Sequence, residues 1–503
     1  MSTDEADVPP NILFVVWDAC RYDYAVEHAS FLNELGSSNL WFENAIAPSP
    51  WSLPSHASIF TGAYPHEHGS NRFGDAIDTP LVRELSSWGY KTYGVSANGF
   101  ASQRTGFHED FDEFRYTGGR DLFIEGMDVS GISQEVLRDE GTSQKDALVH
   151  VLKQIPRQGY PLKSLANLAA VSTGELAAKF ESLQRVPHPA FAPTSDYSYT
   201  PEKNTQKIQT ILQNHSAEDP FFLFTNYMDT HRCYKPNDEL QEKHIGRTLG
   251  YEELVRLNED VAAPWEFESK KVCDELDESD VEDVRGLYAG EVETVDRHLQ
   301  KLYQTLETQG LLDNTLIIIT ADHGENLGET DELGRRRMGH EASVSDAVLR
   351  VPLVVAHPEL NAATISDEIP LKSLYDICSA ITRSTDISKN AVLKSVTENA
   401  AVSEYPATGG ADETVEKYPE VPKPVVEHRS LEDSVVAYDG SWKIVEESTG
   451  SGWYFQDGSR VKESEAPPSL VSLITECLES LADSSDTKLT DDQISHLESL
   501  GYI

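Results

Sequence analysis

The sequence predicts an α/β protein with a large domain built on a mostly parallel, mixed sheet flanked by helices, followed by a smaller C-terminal α+β subdomain with an antiparallel sheet. Two observations predict this architecture. Apolar runs of strand length alternate with helical patterns in the first part of the chain. Beyond residue 386 the apolar pieces become shorter, and turn residues separate them. We therefore expect a large domain over 1–385 and a smaller one over 386–503.

Five apolar runs predict the strands of the large sheet, and several of them end at an acid or precede a histidine. A continuous apolar run is typical of a strand that is buried on both faces. The predicted strands lie at 11–18, 91–97, 219–229, 315–322 and 351–356, with predicted helices at 80–89 and 287–306. Ligands of such sheets bind beyond the carboxyl ends of the strands, so we expect the site there.

Other segments are less regular or differ in composition. The region 115–200 has weak periodicity, and we expect an irregular insert of loops and short helices that packs around the site. The strongly acidic stretch 252–283 predicts a surface excursion. The C-terminal subdomain is predicted from strand-like pieces at 401–404, 434–438, 442–446 and 452–455 and a helix at 470–481.

The charge balance of the chain argues against nucleic acid as a partner. The 503 residues include 41 Lys and Arg against 85 Asp and Glu, which gives a formal net charge of -44. The acidic excess is spread along the whole chain, which favours a solvated surface over a disordered tail. Such a surface stays soluble in concentrated salt, as in halophilic proteins. It lacks the basic footprint that nucleic acid requires.

The termini and cysteines predict a cytoplasmic location. The first ten residues are acidic and lack the basic-then-apolar layout of a signal peptide. No stretch approaches the roughly 20 apolar residues of a membrane span. The five cysteines are an odd number without paired spacing, so neither a disulfide framework nor a Cys-rich zinc site is expected.

The stretch 48–62 is the first candidate for chemistry. Pro54 suits the first turn of a helix, which would place Ser52 just ahead of that turn, at the positive end of the helix dipole. An anionic ester binds well among the free N–H groups there, and a developing alkoxide is stabilised. The alternative interpretation is an ordinary serine-capped helix.

Acids and histidines follow several of the predicted strands. Asp18 ends the first, Asp322 and His323 follow the fourth, His231 follows the third and His340 precedes the fifth. Each alone is typical of a helix cap or a satisfied polar group. Together they would open onto one edge of the sheet, where two carboxylates and an imidazole suit one divalent cation such as Mg, Mn, Ca or Zn. Such a cation activates a hydroxyl and neutralises an anionic ester.

The order of these motifs resembles the sulfatase family of the alkaline phosphatase superfamily. The resemblance covers most of the chain and is weakest at about 115–200 and 395–470. The matching pieces are the strand ending at Asp18 with Arg21, the blocks at 52–56 and 61–69, the strand at 220–224 with His231, the motif at 320–325, the pair at 339–340 leading into 350–354, and the ending at 489–502.

The resemblance implies roles for individual residues. Metal ligands are implied at Asp18, Ser52, Asp322 and His323, with Ser52 also in the position of the nucleophile. Catalytic roles are implied at His231 and His340, which would hold the ester oxygens or protonate the leaving group. Arg21 and His56 would support the region of the nucleophile or serve a structural role.

The chain departs from the family pattern at three places. Ala19 stands where many sulfatases have a second aspartate. The family's nucleophile is a formylglycine made in a signal whose fifth position is arginine, and here that position is His56. The basic residue that often precedes the site histidine is offset, so Arg337, within three consecutive arginines, is only a candidate anion contact.

The implied function is hydrolysis of a sulfate ester on a small molecule or glycan. The departures at Ala19 and His56 resemble members that use an unmodified serine on phosphate mono- or diesters, or that transfer phosphoryl or head groups. A non-catalytic binding protein on the same scaffold is the third interpretation. Neither the oligomeric state nor the substrate follows from the sequence.

Overall fold

The computed structural model of the chain describes residues 9–483, apart from 120, 139–141, 158, 180–199, 217–218, 273, 341, 385, 397, 399 and 408–432. Two sequence-based interpretations concern residues outside these ranges, namely the acidic start and the family-like ending at 489–502.

An eight-stranded sheet forms the centre of the molecule, with the order β10-β2-β9-β6-β1-β5-β3-β4. Its middle strands are continuous apolar runs whose residues are all buried, as expected for strands covered on both faces. The strands are β1 (Asn11–Trp17), β2 (Leu40–Ile46), β3 (Lys91–Ser96), β4 (Glu113–Tyr116), β5 (Phe221–Tyr227), β6 (Thr315–Thr320), β9 (Arg350–Ala356) and β10 (Ala363–Pro370).

The sheet is mostly parallel and mixed, as predicted. β1 pairs in parallel with β5 and β6, and β3 pairs in parallel with β5 and β4. β9, predicted from its apolar run, lies antiparallel to both β6 and β2. The sequence did not predict β2, β4 and β10, which complete the two edges. A two-stranded ribbon of β7 (Leu327–Thr330) and β8 (Arg336–Met338) follows β6.

Helices flank this sheet. The two predicted helices are present, and the second extends to 31 residues, from Glu278 to Thr308. The helices are α1 (Tyr22–His28), α2 (Ser30–Ser37), α3 (Ser52–Thr61), α4 (Pro65–His68), α5 (Pro80–Ser87), α6 (Val129–Arg138), α7 (Gln144–Gln154), α8 (Pro161–Lys179), α9 (Pro201–Asn214), α10 (Asp238–Ile245), α11 (Tyr251–Arg256), α12 (Pro264–Val272), α13 (Glu278–Thr308), α14 (Asp346–Leu349), α15 (Ser373–Ser384), α16 (Lys389–Lys394) and α17 (Pro468–Asp483).

The insert, expected to hold loops and short helices, and the acidic stretch, expected to be a surface excursion, differ from these expectations. Within 115–200 the structure has α6, α7 and α8, and α8 is 19 residues long. The acidic stretch 252–283 holds α11, α12 and the start of α13, and several of its residues are buried, Leu257 and Phe267 completely. It is therefore part of the packed structure and not a surface excursion throughout.

A second, antiparallel sheet of five strands occupies the C-terminal part, as predicted. Its strands are β11 (Ala401–Tyr405), β12 (Ser434–Asp439), β13 (Trp442–Glu447), β14 (Gly452–Gln456) and β15 (Ser459–Val461). One face packs against α17, where Val402, Val435 and Ile444 meet Leu470 and Ile474 in a small core of their own. Among the described helices, none combines the length and hydropathy needed to cross a bilayer.

Candidate active site at the carboxyl edge of the sheet

The centre of the candidate site lies where two neighbouring strands end. β1 and β6 pair in parallel, so Asp18 and Asp322, which follow them, lie at the same edge of the sheet. The Ala19 N–H donates a hydrogen bond of 3.1 Å to Asp322 Oδ1. Ala19 has a φ of 57°, in the left-handed region that turns the chain sharply after β1. The turn therefore fixes Asp18 against the loop that carries Asp322.

Ser52 is the first residue of α3, one position further into the helix than the sequence suggested. Its Oγ lies 3.4 Å from Asp18 Oδ2 and 3.3 Å from His323 Nε2. Ser55 ties the helix to the sheet edge, because its hydroxyl donates a hydrogen bond of 2.6 Å to the carbonyl of Asp322. Residues 52 to 60 are all buried, so the hydroxyl of Ser52 is held in a fixed place.

The donor set around Ser52 fits a divalent cation. Asp18, Asp322 and His323 each offer a ligand atom, and these atoms lie within 4.8 Å of one another. Asp18 Oδ1 and Asp322 Oδ2 are buried, and neither accepts a hydrogen bond from a described residue. Burial and the charge of Asp322 raise the pKa of Asp18 well above its usual value. Two buried carboxylates with open oxygens are the chemistry that a cation would complete.

The tautomer of His323 agrees with this arrangement. Its Nδ1–H donates 2.8 Å to the carbonyl of Gly324, which directs Nε2 toward Ser52 as an acceptor. Gly324 is required by the packing, because a Cβ there would lie 2.1 Å from the carbonyl oxygen of Ala347. The backbone of the loop after β6 therefore sets the orientation of the ring.

Three polar residues that the sequence analysis did not single out hold Asp18 in place. The side-chain amide of Asn98 donates to Asp18 Oδ2, and that of Asn226 lies 3.4 Å from the same oxygen. Thr230 Oγ1 donates 2.6 Å to the carbonyl of Asp18. Asn98 and Thr230 each follow a predicted strand and Asn226 lies within one, but such polar residues are too common in sequences to be selected by that signal alone.

His56 contacts the main chain of Ser52 from within α3. Its Nδ1 lies 2.8 Å from the Ser52 carbonyl and 3.5 Å from Asp322 Oδ2, and its Nε2 lies 3.2 Å from the amide of Asn226. Complete burial lowers the pKa of His56, so the ring is neutral and bridges α3 to β5. A supporting function next to Ser52 agrees with these contacts.

His231 and His340 form a row with His323. The ring centroids of His323 and His340 are 4.2 Å apart, and those of His340 and His231 are 5.2 Å apart. His231 Nδ1–H donates 2.7 Å to the carbonyl of Arg232. Burial and the neighbouring His340 lower the pKa of His231 to about 3, which keeps this ring neutral.

Glu325 is a further residue of the site, present in the sequence motif but without a predicted role. It is 2% exposed, and its Oε1 lies 3.2 Å from His340 Nδ1. The hydroxyl of Tyr234 donates 3.3 Å to Glu325 Oε2. Because the carboxylate accepts from Nδ1–H, it selects the tautomer of His340 whose Nε2 is an acceptor in the neutral ring.

The side chain of Arg21 contacts the candidate site through the backbone carbonyl of Glu325. Its guanidinium pairs with Asp23 at 2.8 Å and with Glu329, and Nη1 donates 3.2 Å to the carbonyl of Glu325. Ion pairs therefore occupy most of its donors. A supporting role of Arg21 at the nucleophile stays a prediction. In this geometry Arg21 would act through the loop that carries Glu325.

The family was determined by comparison with known proteins. The model of the sulfatase family matches residues 10–379, which is well over half of the chain. The chain belongs to the sulfatase family. Members of this family generally bind a divalent metal, and the cluster around Ser52 supplies suitable ligand groups.

Relatives of this sulfatase-family chain include several activities. The N-acetylglucosamine-6-O-sulfatase of Bacteroides thetaiotaomicron is 22% identical over 407 residues, or 72% of this chain and 65% of that protein. The chain thus matches a little under two thirds of that relative's length. Two solved structures show the same fold. The first is a protein in complex with its substrate D-glucosamine-2-N,6-O-disulfate. It has a TM-score of 0.60 and 15% sequence identity, and the match covers 95% of this chain and 100% of that protein. The phosphonate monoester hydrolase of Agrobacterium radiobacter has a TM-score of 0.59 at 16% identity and covers 96% and 98%.

The three consecutive arginines of this sulfatase-family chain have different surroundings. Arg335 pairs with Glu447 at 2.7 Å, and Arg336 pairs with Glu278 at 2.6 Å. Arg337 is only 4% exposed, so it is not part of a solvated loop. Of the three, Arg337 therefore stays the candidate for an anion contact.

Proposed function

We propose that this chain hydrolyses a sulfate ester of a small molecule or glycan, with the residue at position 52 as nucleophile. The observation that carries the proposal is the position of Ser52 Oγ, within 3.4 Å of both Asp18 and His323 at the first turn of α3. The positive end of the helix dipole favours an anionic ester and a developing alkoxide at this point. The sulfatase relatives with named glycan substrates support sulfate as the group attacked.

We also propose that one divalent cation belongs to this site, of the Ca, Mg, Mn or Zn kind. Asp18, Ser52, Asp322 and His323 would hold it. When bound, the cation supplies positive charge that lowers the pKa of the serine hydroxyl and offsets the charge of the ester. The open carboxylate oxygens of Asp18 and Asp322 support this assignment.

In the proposed reaction the residues of the chain act in sequence. The hydroxyl of Ser52 first loses its proton to solvent, and Oγ then forms a bond to sulfur while the bond from sulfur to the leaving oxygen breaks. His340, protonated beside Glu325, gives a proton to the leaving oxygen, while the neutral His231 lies beside it. A water molecule then bonds to sulfur, the bond from sulfur to Oγ breaks, Oγ takes a proton from that water, and sulfate leaves. Glu325 supports a proton-transfer role of His340, because it fixes the ring through Nδ1 and stabilises the imidazolium form.

A second candidate function is favoured by the surroundings of Ser52. Ala19 and His56 stand where many sulfatases have an aspartate and an arginine, and His56 is bonded to the main chain of Ser52 itself. An unmodified serine hydroxyl suits phosphate mono- or diesters, or transfer of a phosphoryl or head group. The fold shared with a phosphonate monoester hydrolase agrees with this alternative. A binding protein without catalysis is the third candidate.

One pair of measurements separates these candidates. The purified protein is assayed with an aryl sulfate and with phosphate mono- and diesters, and the peptide that contains Ser52 is analysed by mass spectrometry. Turnover of the sulfate ester supports the first proposal, with either a formylglycine or a serine at position 52. Turnover of phosphate esters alone, with unmodified serine, establishes the alternative. No turnover of any ester with intact ligand binding supports the binding protein.

Two further proposals concern the salt concentration of the assays and the location of the protein. The net charge of -44 supports a halophile-type protein, so the assays should be carried out in concentrated salt. A cytoplasmic location is supported by the spacing of the five cysteines, which is not that of a disulfide framework. Cell fractionation tests this location, since recovery of the protein from the culture medium would contradict it.

A further inference from the structure

The helical insert carries most of the strongly exposed large apolar side chains among the described residues. Six of them define what we call the insert face, and they are between 41% and 81% exposed: Leu148, Val149, Leu152, Tyr160, Leu162 and Leu165. Single exposed apolar residues are common on protein surfaces, but a concentration of this kind in one segment marks an interaction surface.

The insert face does not result from incomplete packing of the insert. The opposite sides of the same helices are buried, with Val151 of α7 in a small core together with Met127 and Val129, and Leu168 of α8 packed against it. Helical spacing places Leu148 and Leu152 on a stripe of α7 that is about 100° around the helix from Ala147 and Val151. Two neighbouring stripes of α7 are therefore apolar, and of these only the stripe of Ala147 and Val151 is buried within the described structure.

The charge of this segment is opposite to that of the rest of the chain. Residues 147 to 174 contain no acidic residue, although the chain has 85 of them. Lys145, Lys153 and Arg157 are exposed, and none forms an ion pair with a described residue. Lys145 lies on the same side of α7 as Leu148 and Leu152 and is followed by exposed Asp146, whereas Lys153 lies about 100° or more around the helix from both leucines. The exposed side of the insert thus combines apolar side chains with positive charge.

We propose that the insert face docks on the surface of an anionic lipid bilayer. A helix that presents apolar side chains next to lysine and arginine is suited to the interface between head groups and acyl chains. The remainder of the chain is strongly acidic and is repelled by an anionic surface, so this face is the one that can approach it. A symmetric dimer through the same face would place its basic residues against each other.

The insert face lies on a part of the chain that is connected to the candidate site. The side chain of Gln103 donates a hydrogen bond of 3.2 Å to Asp128, and the hydroxyl of Ser102 donates one of 3.1 Å to Gln134 of α6. These residues belong to the loop that begins at Asn98, whose amide donates to Asp18. The insert is therefore joined directly to the loop that contributes Asn98 to the candidate site.

The test measures binding of the full-length protein to vesicles by flotation. Vesicles of phosphatidylglycerol are compared with vesicles of phosphatidylcholine, over the salt range in which the circular dichroism of the protein is native. We expect partition onto phosphatidylglycerol vesicles, reduced at least tenfold in a variant with Leu162→Glu and Leu165→Glu. The matched control carries Val26→Glu and Tyr251→Glu, which are 45% and 55% exposed outside the insert, and should bind like the parent protein. Lys153→Glu with Arg157→Glu should weaken binding to phosphatidylglycerol.

Other results would assign the face differently. Absence of binding to either vesicle across that salt range overturns the proposal, as does equal loss of binding in the matched control. A dimer in light scattering that dissociates in the Leu162→Glu and Leu165→Glu variant, without vesicle binding, would identify a second copy as the occupant. Hydrolysis of a soluble ester should be unchanged in that variant, so a failure of the proposed function is detected separately.

Discussion

The hydroxyl of Ser52 lies 3.3 Å from Nε2 of His323, although 271 positions separate the two residues in the chain. The contact joins the start of a helix to the loop after a central strand, and both residues are buried. It determines which hydroxyl of the serine-rich stretch is placed for reaction, because Ser55 and Ser58 make hydrogen bonds elsewhere.

The first prediction concerns this hydroxyl. Ser52→Ala should lower kcat by at least about 10³-fold, because a nucleophile that acts as a unit with its neighbours is not replaced by them. Ser58→Ala is the matched control, since Ser58 lies on the same helix but contacts His68. Steady-state kinetics with the ester identified in the assay provide the measurement. A Ser52→Ala enzyme with turnover close to that of the control would contradict the assignment.

The second prediction concerns metal removal. The open oxygens of Asp18 and Asp322 predict that the chelated protein regains stability when a divalent cation is added. At a cation concentration 100 times Kd the free energy of unfolding should rise by about 2.7 kcal/mol. Denaturation with and without the cation measures this gain. Asp18→Asn should abolish the gain, and a variant that keeps it would place the cation elsewhere.

The third prediction concerns Glu325, which contacts His340 and not the predicted nucleophile. Glu325→Gln preserves the shape of the side chain but removes the charge that orients and stabilises the ring. We expect a decrease of about 10–100-fold in kcat with little change in KM, by analogy with other residues that orient a functional histidine. The double variant with Glu325→Gln and His340→Ala should have a kcat no lower than that of His340→Ala alone. Additive losses would show that the two residues act independently.

The positions of the central site residues were predictable because parallel strands end at one edge of the sheet. Asp18, Asp322 and His323 follow buried apolar runs that are easily detected, and the structure brings them together. Asn98 and Asn226 could not be selected in the same way. Their contacts with Asp18 depend on the register of three strands, which the sequence pattern does not specify.

The strands that were not predicted have interrupted patterns. β2 contains Glu43 and Asn44, and its pairing with β9 shifts between Phe42 and Ala45, so that the apolar alternation is broken at a bulge. Short helices were expected in the insert, but their positions and lengths were not predicted, for a different reason. The exposed side of α7 is itself apolar at Leu148 and Leu152, which removes the contrast between faces that a helical periodicity needs.

The fourth prediction is a pH dependence that comes from His68. Burial lowers the pKa of His68 to about 4 from 6.5. The Ser70 N–H donates 3.0 Å to its Nδ1, a bond that protonation would break. Between these values the unfolded chain binds the proton more tightly, so stability should rise with pH across this window, by roughly 3 kcal/mol in total. Urea denaturation between pH 4 and 7 at constant salt measures the slope, and His68→Gln should make the slope less steep by the contribution of His68. An unchanged slope in that variant would assign the dependence to other groups.

The fifth prediction concerns the proposed division into domains 1–385 and 386–503. We propose that the pair of His66 with Glu404 fastens the smaller domain to the larger one. Glu404 is fully buried, pairs with the ring of His66 and accepts the His66 N–H at 2.9 Å. Removing one partner of a buried pair leaves an uncompensated polar group, so Glu404→Ala should cost about 3 kcal/mol of unfolding free energy. The control Arg247→Gln removes an exposed pair with Asp283 and should cost less than about 1 kcal/mol.

The pH dependence of this pair distinguishes it from simple loss of packing. The hydrogen bond that the His66 ring donates to Glu404 raises the pKa of His66 above 6.5. A group whose pKa is higher in the folded state stabilises fully below the unfolded value and loses this contribution as pH rises through the folded value. The difference in unfolding free energy between the parent protein and His66→Ala should therefore be larger at pH 6 than at pH 9. Equal differences at both values would show that packing, and not the charged pair, joins the two domains.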